Sequence, residues 1–300
     1  MTIETLFQEI DQIASQSDIY LEGISHACYQ LLEREEVQKV PTEERRRAVQ
    51  LAVVKGMKEG VQRNHQMTPE VIGLLTGYMI HQLMDEEKNT IVDVGVGSGQ
   101  YLYSVLAQLP KEHFEAIGIE IDDVLIQLAA ATGEFIKQPV HYYMQDALTP
   151  WKVEKAKFVI GDLPIGYYPM EENEGNFILF PKEGLAYSHY LLIEQSVRHL
   201  TEDGYAFFVV PNDLFSSEQS DALHEYLQRE AVLRAVLPLP EEMVKKESDA
   251  RSIIILQRRT EDRAYEKEVL VSPMPSFDQV THMQAYLRQL DGWLQEEMKE

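Results

Sequence analysis

Three things are scarce in this 300-residue chain: cysteine, basic charge and long apolar runs. The single cysteine, Cys28, has no partner for a disulfide or a metal-thiolate site, and it lies in a helical pattern as a small core residue. The nine histidines show no metal-ligand spacing with other ligands, so no metal is expected. No apolar stretch approaches the ~20 residues of a membrane-spanning helix, and the longest, such as 253–256, are strand-sized, so no membrane partner is expected. Residues 1–20 contain Glu4, Glu9, Asp11 and Asp18 and no basic residue, so no secretory or transit signal is expected and a cytoplasmic location follows.

Basic residues number 27 against 50 acidic ones, a formal charge of −23. Nucleic-acid binding draws much of its affinity from Lys and Arg on phosphates, so the global field opposes DNA, and DNA binding here requires a local positive groove on an acidic protein. The basic clusters, Arg45-Arg46-Arg47 with Lys55 and Lys58, Lys245-Lys246 and Arg258-Arg259, read as solvated faces.

What is present is the composition of an ordinary globular protein, 44% hydrophobic and 26% charged, long enough for one large α/β domain with an appendage. Residues 1–62 carry helical periodicity and no strand signal: Ile3, Leu6, Ile10 and Ile13 share one face, and Tyr20, Ile24, Cys28, Leu31 and Leu32 another. Pro41-Thr42-Glu43-Glu44 opens a third helix, with acids in its first turn. A linker, 62–69, leads into a helix over 70–84, with Thr68 as N-cap and Pro69 at the first helical position. From residue 89 an alternating α/β pattern runs to about 256. It includes a fourth strand at 157–161 ending in Asp162-Leu163-Pro164-Ile165, a loop rich in Gly, Glu and aromatics, a helix over 184–200 and a strand at 205–210. Strands at 231–237 and 252–257 form a hairpin around the polar stretch 241–249, and a strand at 268–271 and a helix over 277–298 complete the chain. The expected domains are an N-terminal helical domain at 1–62, an α/β domain at 63–260 and an extension at 261–300.

The most informative stretch is 91–102, IVDVGVGSGQYL. A strand runs into Gly95, Gly97 and Gly99, and 100–109 reads as a helix. Glycines there let the backbone approach a ligand, and the first helical amides are free to donate. The spacing is G-x-G-x-G with Asp93 just ahead, not the G-x-G-x-x-G of a pyrophosphate site. An acid at that point repels a pyrophosphate and attracts an ammonium group. The pattern therefore suits a zwitterionic amino-acid nucleoside, with S-adenosylmethionine the obvious candidate. A second strand, 113–120, ends in Glu120, placed to accept from both ribose hydroxyls, with Asp122 the nearby second choice. After a helix over 124–136, a short strand at 139–143 leads to Asp146, suited to the adenine amino group, with Ala147 near the ring.

The ordered set Asn64-His65-Gln66-Met67-Thr68-Pro69, Asp93 to Gly99, Glu120, Asp146 and Asp162-Leu163-Pro164-Ile165 resembles a class I methyltransferase. It is most similar to the adenine-N6 DNA methyltransferases, especially the modification subunits of type I restriction systems, over roughly 60–258. The resemblance implies a Rossmann-like class I sheet with a terminal β-hairpin (an antiparallel edge strand) beside the N-terminal helical domain. It implies S-adenosyl-L-methionine as cofactor, bound by Met67, Thr68, Asp93, Gly95, Gly97, Gly99, Glu120, Ile121, Asp146 and Ala147. The family braces the cofactor's methionine end with the segment before the first strand.

The family's catalytic tetrapeptide is Asn or Asp, Pro, Pro, then an aromatic, at the tip of the fourth strand. A side-chain oxygen at the first position and the second carbonyl accept the two hydrogens of a weakly nucleophilic amine, and the aromatic stacks the extruded base. The implied catalytic residues are Asp162, Leu163 and Pro164. Leu163 replaces a proline, and Ile165 stands where the stacking ring belongs, so Tyr167 or Tyr168 is the substitute stacking residue. Only about 40 residues follow the hairpin, too few for a target-recognition module, so DNA binding implies a separate specificity partner or a non-specific substrate. Two alternatives stay open. One is a protein methyltransferase acting on a glutamine amide, which poses the same chemical problem as adenine and suits an acidic enzyme. The other is a non-catalytic cofactor-binding or interaction protein, and methylation of a small molecule is a remaining option.

Overall fold

In a computed structural model the described residues are all except 60–66, 154, 170–171, 174, 244–248, 261–267 and 298–300. The elements, in chain order, begin with helices α1 (Ile3–Ala14), α2 (Tyr20–Leu32), α3 (Glu35–Gln38), α4 (Thr42–Glu59) and α5 (Glu70–Leu83). Then come β1 (Asn89–Asp93), α6 (Gln100–Leu106), β2 (Phe114–Glu120), α7 (Asp123–Phe135), β3 (His141–Met144) and β4 (Ala156–Asp162). The chain closes with α8 (Ser188–His199), β5 (Leu200–Pro211), α9 (Ser220–Glu230), β6 (Ala231–Pro238), β7 (Arg251–Arg258), β8 (Leu270–Val271) and α10 (Val280–Glu297). Two compact units result. The first comprises Met1–Gly77, Gly95–Lys111 and Glu115–Asp146, and the second Tyr78–Val94, Glu112–Phe114 and Ala147–Glu300.

In the first unit the apolar faces read from the sequence meet in one core. Leu6, Ile10, Ile24, Cys28 and Leu31 of α1 and α2 pack with Val49 and Val53 of α4. The same cluster takes in Tyr103 and the α7 residues Leu125, Leu128 and Phe135, so the N-terminal helices and α7 bury a common surface. Caps fix the helix starts. Thr2 Oγ1 accepts from the Thr5 amide at 3.2 Å, and Asp122 Oδ1 accepts from the Leu125 amide at 2.9 Å. Strands β2 and β3 pair in parallel, Ile117 opposite His141 and Glu120 opposite Met144.

In the second unit the strands lie in the order β1-β4-β5-β7-β6-β8. β1, β4 and β5 are parallel, with Asp93 opposite Ile160 and Asp162 opposite Val209. β7 runs antiparallel to both β5 and β6, which makes the expected hairpin, and β8 adds parallel to β6. Phe207, Phe208 and Val209 and the run Ile253 to Leu256 are all buried. Unbroken apolar runs of that kind belong to strands covered on both faces. Asp203-Gly204, between the expected helix over 184–200 and strand at 205–210, lies inside β5 at a break in register, where Leu200 pairs with Ala156 and Tyr205 with Phe158.

The helices differ from expectation in several places. α6 ends at Leu106 rather than 109, its last turn tightening where Gln108 donates to Val105 and Leu109 to Leu106. α8 starts at Ser188 rather than 184, because Gly184 is left-handed (φ 81°) and Tyr187 is held in a bridge with Tyr167. α9 was not anticipated at all. Its buried Leu223, Tyr226 and Leu227 supply the spacing that identifies it. Among the described residues no helix is long and apolar enough to cross a membrane.

Candidate functional site

The glycine turn belongs to the first unit from Gly95 onward. Gly95 has φ 155°, Gly97 φ 51° and Gly99 φ 82°, and Gly99 is the N-cap of α6 with no side-chain cap bond. A Cβ on Gly95 would meet nothing within 4 Å, and one on Gly97 only the Gly95 carbonyl at 4.0 Å. The loop therefore lines open space with bare backbone. That is the cradle a nucleoside ligand needs, and side chains at these positions would fill it.

Glu120, the last residue of β2, organises that loop. Its Oε2 accepts from the Gly97 amide at 2.9 Å, and its Oε1 accepts from Ile121 and Asp122 amides at 2.8 and 3.0 Å. An ionised carboxylate offers about four acceptor positions, so three here are committed to backbone. Asp122 is committed to capping α7, which leaves Glu120 as the better-placed acid at this strand tip. Ile121 is 67% exposed, an apolar surface beside the glutamate. The Val96 amide donates to Ile119 O at 3.0 Å and the Gln145 amide to Glu120 O at 2.9 Å, which brings the glycine loop, the β2 tip and the start of the Asp146 turn together. Asp146 is half-buried. Met67 packs against the first unit's core and Thr68 is buried, whereas Asn64, His65 and Gln66 lie outside the described residues.

In the second unit Asp93 closes β1 and is fully buried, and the following Val94 amide donates to Ile160 O at 3.0 Å. Ala147 is half-buried, and its carbonyl accepts from Trp151 Nε1 at 2.7 Å.

Asp162 ends β4 with its side chain 21% exposed, and Arg251 Nη1 donates to its Oδ1 at 2.8 Å. Leu163 is buried, its amide donating to Val209 O at 3.1 Å, while Pro164 and Ile165 are exposed. Tyr167 is 51% exposed and stacks on Tyr187, with ring centroids 4.8 Å apart at 13°. It donates to Glu218 Oε1 at 2.9 Å, and the hydrogen bonds with Tyr187 and Glu218 hold its phenol above the ordinary value. Tyr168 is half-buried, its amide donating to Ala186 O at 2.8 Å.

Beneath this loop sit residues that the sequence did not single out. His189, in the first turn of α8, is 3% exposed and stacks with Tyr187. Burial pushes its imidazole down to about 4, although Asp213 and the Pro164 carbonyl act in the other direction. Glu194 of α8, fully buried, accepts from the Ile178 and Leu179 amides at 2.8 and 2.7 Å and pairs with Arg198. Arg198 in turn donates to Asn176 O at 2.6 Å. The segment after Asp162 is thus pinned to α8 at several points.

The model of the family described as N-6 DNA Methylase matches residues 58–290. YtxK of Bacillus subtilis (strain 168), a protein of uncharacterised function, is 40% identical over 268 residues, 89% of this chain and 82% of its own length. A solved candidate class I S-adenosylmethionine-dependent methyltransferase from Listeria monocytogenes is 30% identical, with a TM-score of 0.89 over 97% of this chain and 98% of that one. The type I restriction-modification methyltransferase subunit from Streptococcus thermophilus shares the fold, with a TM-score of 0.67 at 15% identity over 97% of this chain and 71% of that one. The chain belongs to the N-6 DNA methylase family and is an S-adenosylmethionine-dependent methyltransferase of class I fold.

Proposed function

We propose that this protein transfers the methyl group of S-adenosylmethionine to the exocyclic amine of adenine in DNA, with Asp162 positioning the acceptor. The observation that carries the reading is Asp162 at the end of β4, a partly exposed carboxylate followed by a buried Leu163 and an exposed Pro164. Family membership supports the adenine acceptor.

When bound, the cofactor supplies an electrophilic methyl on a sulfonium. The open space over Gly95 and Gly97 fits it, as does a strand-end acid at Glu120. Asp93 would hold the amino group, Gly95 to Gly99 the backbone, Glu120 the ribose and Asp146 the adenine, with Met67 and Thr68 at the methionine end and Ile121 and Ala147 against the ring. At the acceptor, the Asp162 carboxylate and the Leu163 carbonyl accept the two amine hydrogens and turn the nitrogen lone pair toward the methyl. With the cofactor bound, the nitrogen so held would take the methyl from sulfur and then give one proton to solvent. Tyr167 offers the stacking surface that Ile165 lacks. Base–aromatic stacking contributes about 1–3 kcal/mol.

Sequence specificity would come from a separate partner subunit. The formal charge of −23 favours a second reading, transfer to a protein glutamine amide, which needs the same two hydrogen-bond acceptors. The two are separated by incubating the purified protein with labelled cofactor and unmethylated DNA, then digesting to nucleosides. N6-methyl-2′-deoxyadenosine, lost in Asp162→Ala and partly kept in Asp162→Asn, is the expected product. Unlabelled DNA alongside labelled protein glutamine would replace the adenine reading with the second.

A further inference from the structure

We propose that Arg251 is a positioning residue for the acceptor site, holding the Asp162 carboxylate ionised and in one orientation. The proposal rests on the reading of Asp162 as the carboxylate that accepts the amine.

Arg251 is the first residue of β7, opposite Pro211 of β5, and its carbonyl accepts from the Leu239 amide at 2.9 Å, so its backbone is fixed on both sides. Asp162 pairs with Val209 two residues earlier on β5. The two side chains thus reach over the end of β5 from the strands on either side of it. They meet at 2.8 Å, Nη1 to Oδ1, with 25% and 21% of their surfaces exposed. A fully exposed pair of this kind would be worth little, but here both side chains are mostly shielded from solvent.

His189 of α8 lies within electrostatic reach of Arg251, and Asp213, beyond β5, acts on the same imidazole. His189 is buried, and burial holds its imidazole down to about 4, whereas Arg251 is a cation bonded directly to the Asp162 carboxylate. Asp162 therefore meets the acceptor as a charged, acceptor-only group. A carboxylate that had gained a proton would donate where the amine also donates, and the amine would be turned away. A carboxylate free to rotate would spend part of its time aimed elsewhere, and misplacement on the order of 1 Å can cost about a hundredfold in rate.

The test uses 13C-carboxyl aspartate labelling of the full chain, with the Asp162 resonance assigned from Asp162→Asn, and compares wild type, Arg251→Gln and Arg251→Lys. Removing the guanidinium should move the Asp162 titration upward by about one pH unit or more, with Arg251→Lys recovering most of it. In parallel, transfer to unmethylated DNA should fall at least tenfold in kcat for Arg251→Gln, with KM for S-adenosylmethionine within twofold of wild type and partial rescue by lysine. An Asp162 titration unmoved in Arg251→Gln overturns the proposal, as does full transfer activity in that variant. A wild-type protein that labels no DNA overturns the adenine reading instead, and the carboxyl titration still decides the role of Arg251.

Discussion

Glu120 accepts the Gly97 amide at 2.9 Å, so the acid expected to serve the ribose is also the tie that shapes the glycine loop. With Ile121 and Asp122 donating to its other oxygen, it satisfies three backbone groups at the tip of β2. Glu120→Ala should weaken S-adenosylmethionine binding at least tenfold by calorimetry and lower stability by about 1–3 kcal/mol through the amides left behind. Glu120→Gln keeps the volume but turns an NH2 toward one set of donors, and should lose most of the affinity as well. Unchanged affinity in both variants would remove Glu120 from the cofactor site.

Gly99 carries a second prediction. Its φ of 82° is left-handed, and a Cβ there would lie 2.6 Å from Tyr103 Cε2 and 3.2 Å from Ala129 Cβ. Gly99→Ala should therefore cost about 1–3 kcal/mol of stability, read as a lowered Tm. By contrast, Gly95→Ala and Gly97→Ala project into open space. Their φ values of 155° and 51° cost stability as well, and cofactor affinity should fall in addition because the new side chains enter the open space.

The glycine turn, the order of the strands along the chain and the acids at the ends of β1, β2 and β4 were legible in the sequence because each is written locally. A β-branched run, an acid and a turn residue sit side by side at Asp93, Glu120 and Asp162. Arg251 was not legible, since it meets Asp162 across 89 residues of sequence through a register no local pattern specifies. Nor was the hold of α8 on the segment after Asp162. Glu194 and Arg198 are spaced i,i+4 on α8, and only the fold brings the Ile178 and Leu179 amides onto the glutamate. The start of α8 was misjudged for a related reason, because the Tyr167–Tyr187 bridge overrides the helical preference of 185–187. The α9 pattern, in contrast, was available in Leu223, Tyr226 and Leu227.

His189 predicts a pH dependence. Its folded value near 4 lies below the unfolded 6.5, so the unfolded chain binds the extra proton. Its contribution is intact above pH 6.5 and is lost as the pH falls toward 4, by about 3 kcal/mol in all. Denaturant unfolding from pH 7 to pH 4 should show that slope. His189→Phe, which keeps a ring against Tyr187 and Tyr190, should flatten it even if the variant is less stable at pH 7.

Cys28 offers a probe of the first unit. The thiol is fully buried in the shared core of α1, α2, α4 and α7, and burial pushes it up to about 12. It should resist thiol reagents at neutral pH and react at the rate at which this core opens. Rapid labelling of the native protein would contradict the packing described.

The central claim is methyl transfer to an amine held at Asp162. Its most direct test is transfer of a labelled methyl group from S-adenosylmethionine into a cell extract split into nucleic-acid and protein fractions, with Asp162→Ala alongside. The account predicts label in the DNA fraction that the substitution abolishes. Label confined to the protein fraction, or label in DNA that Asp162→Ala leaves intact, would contradict it.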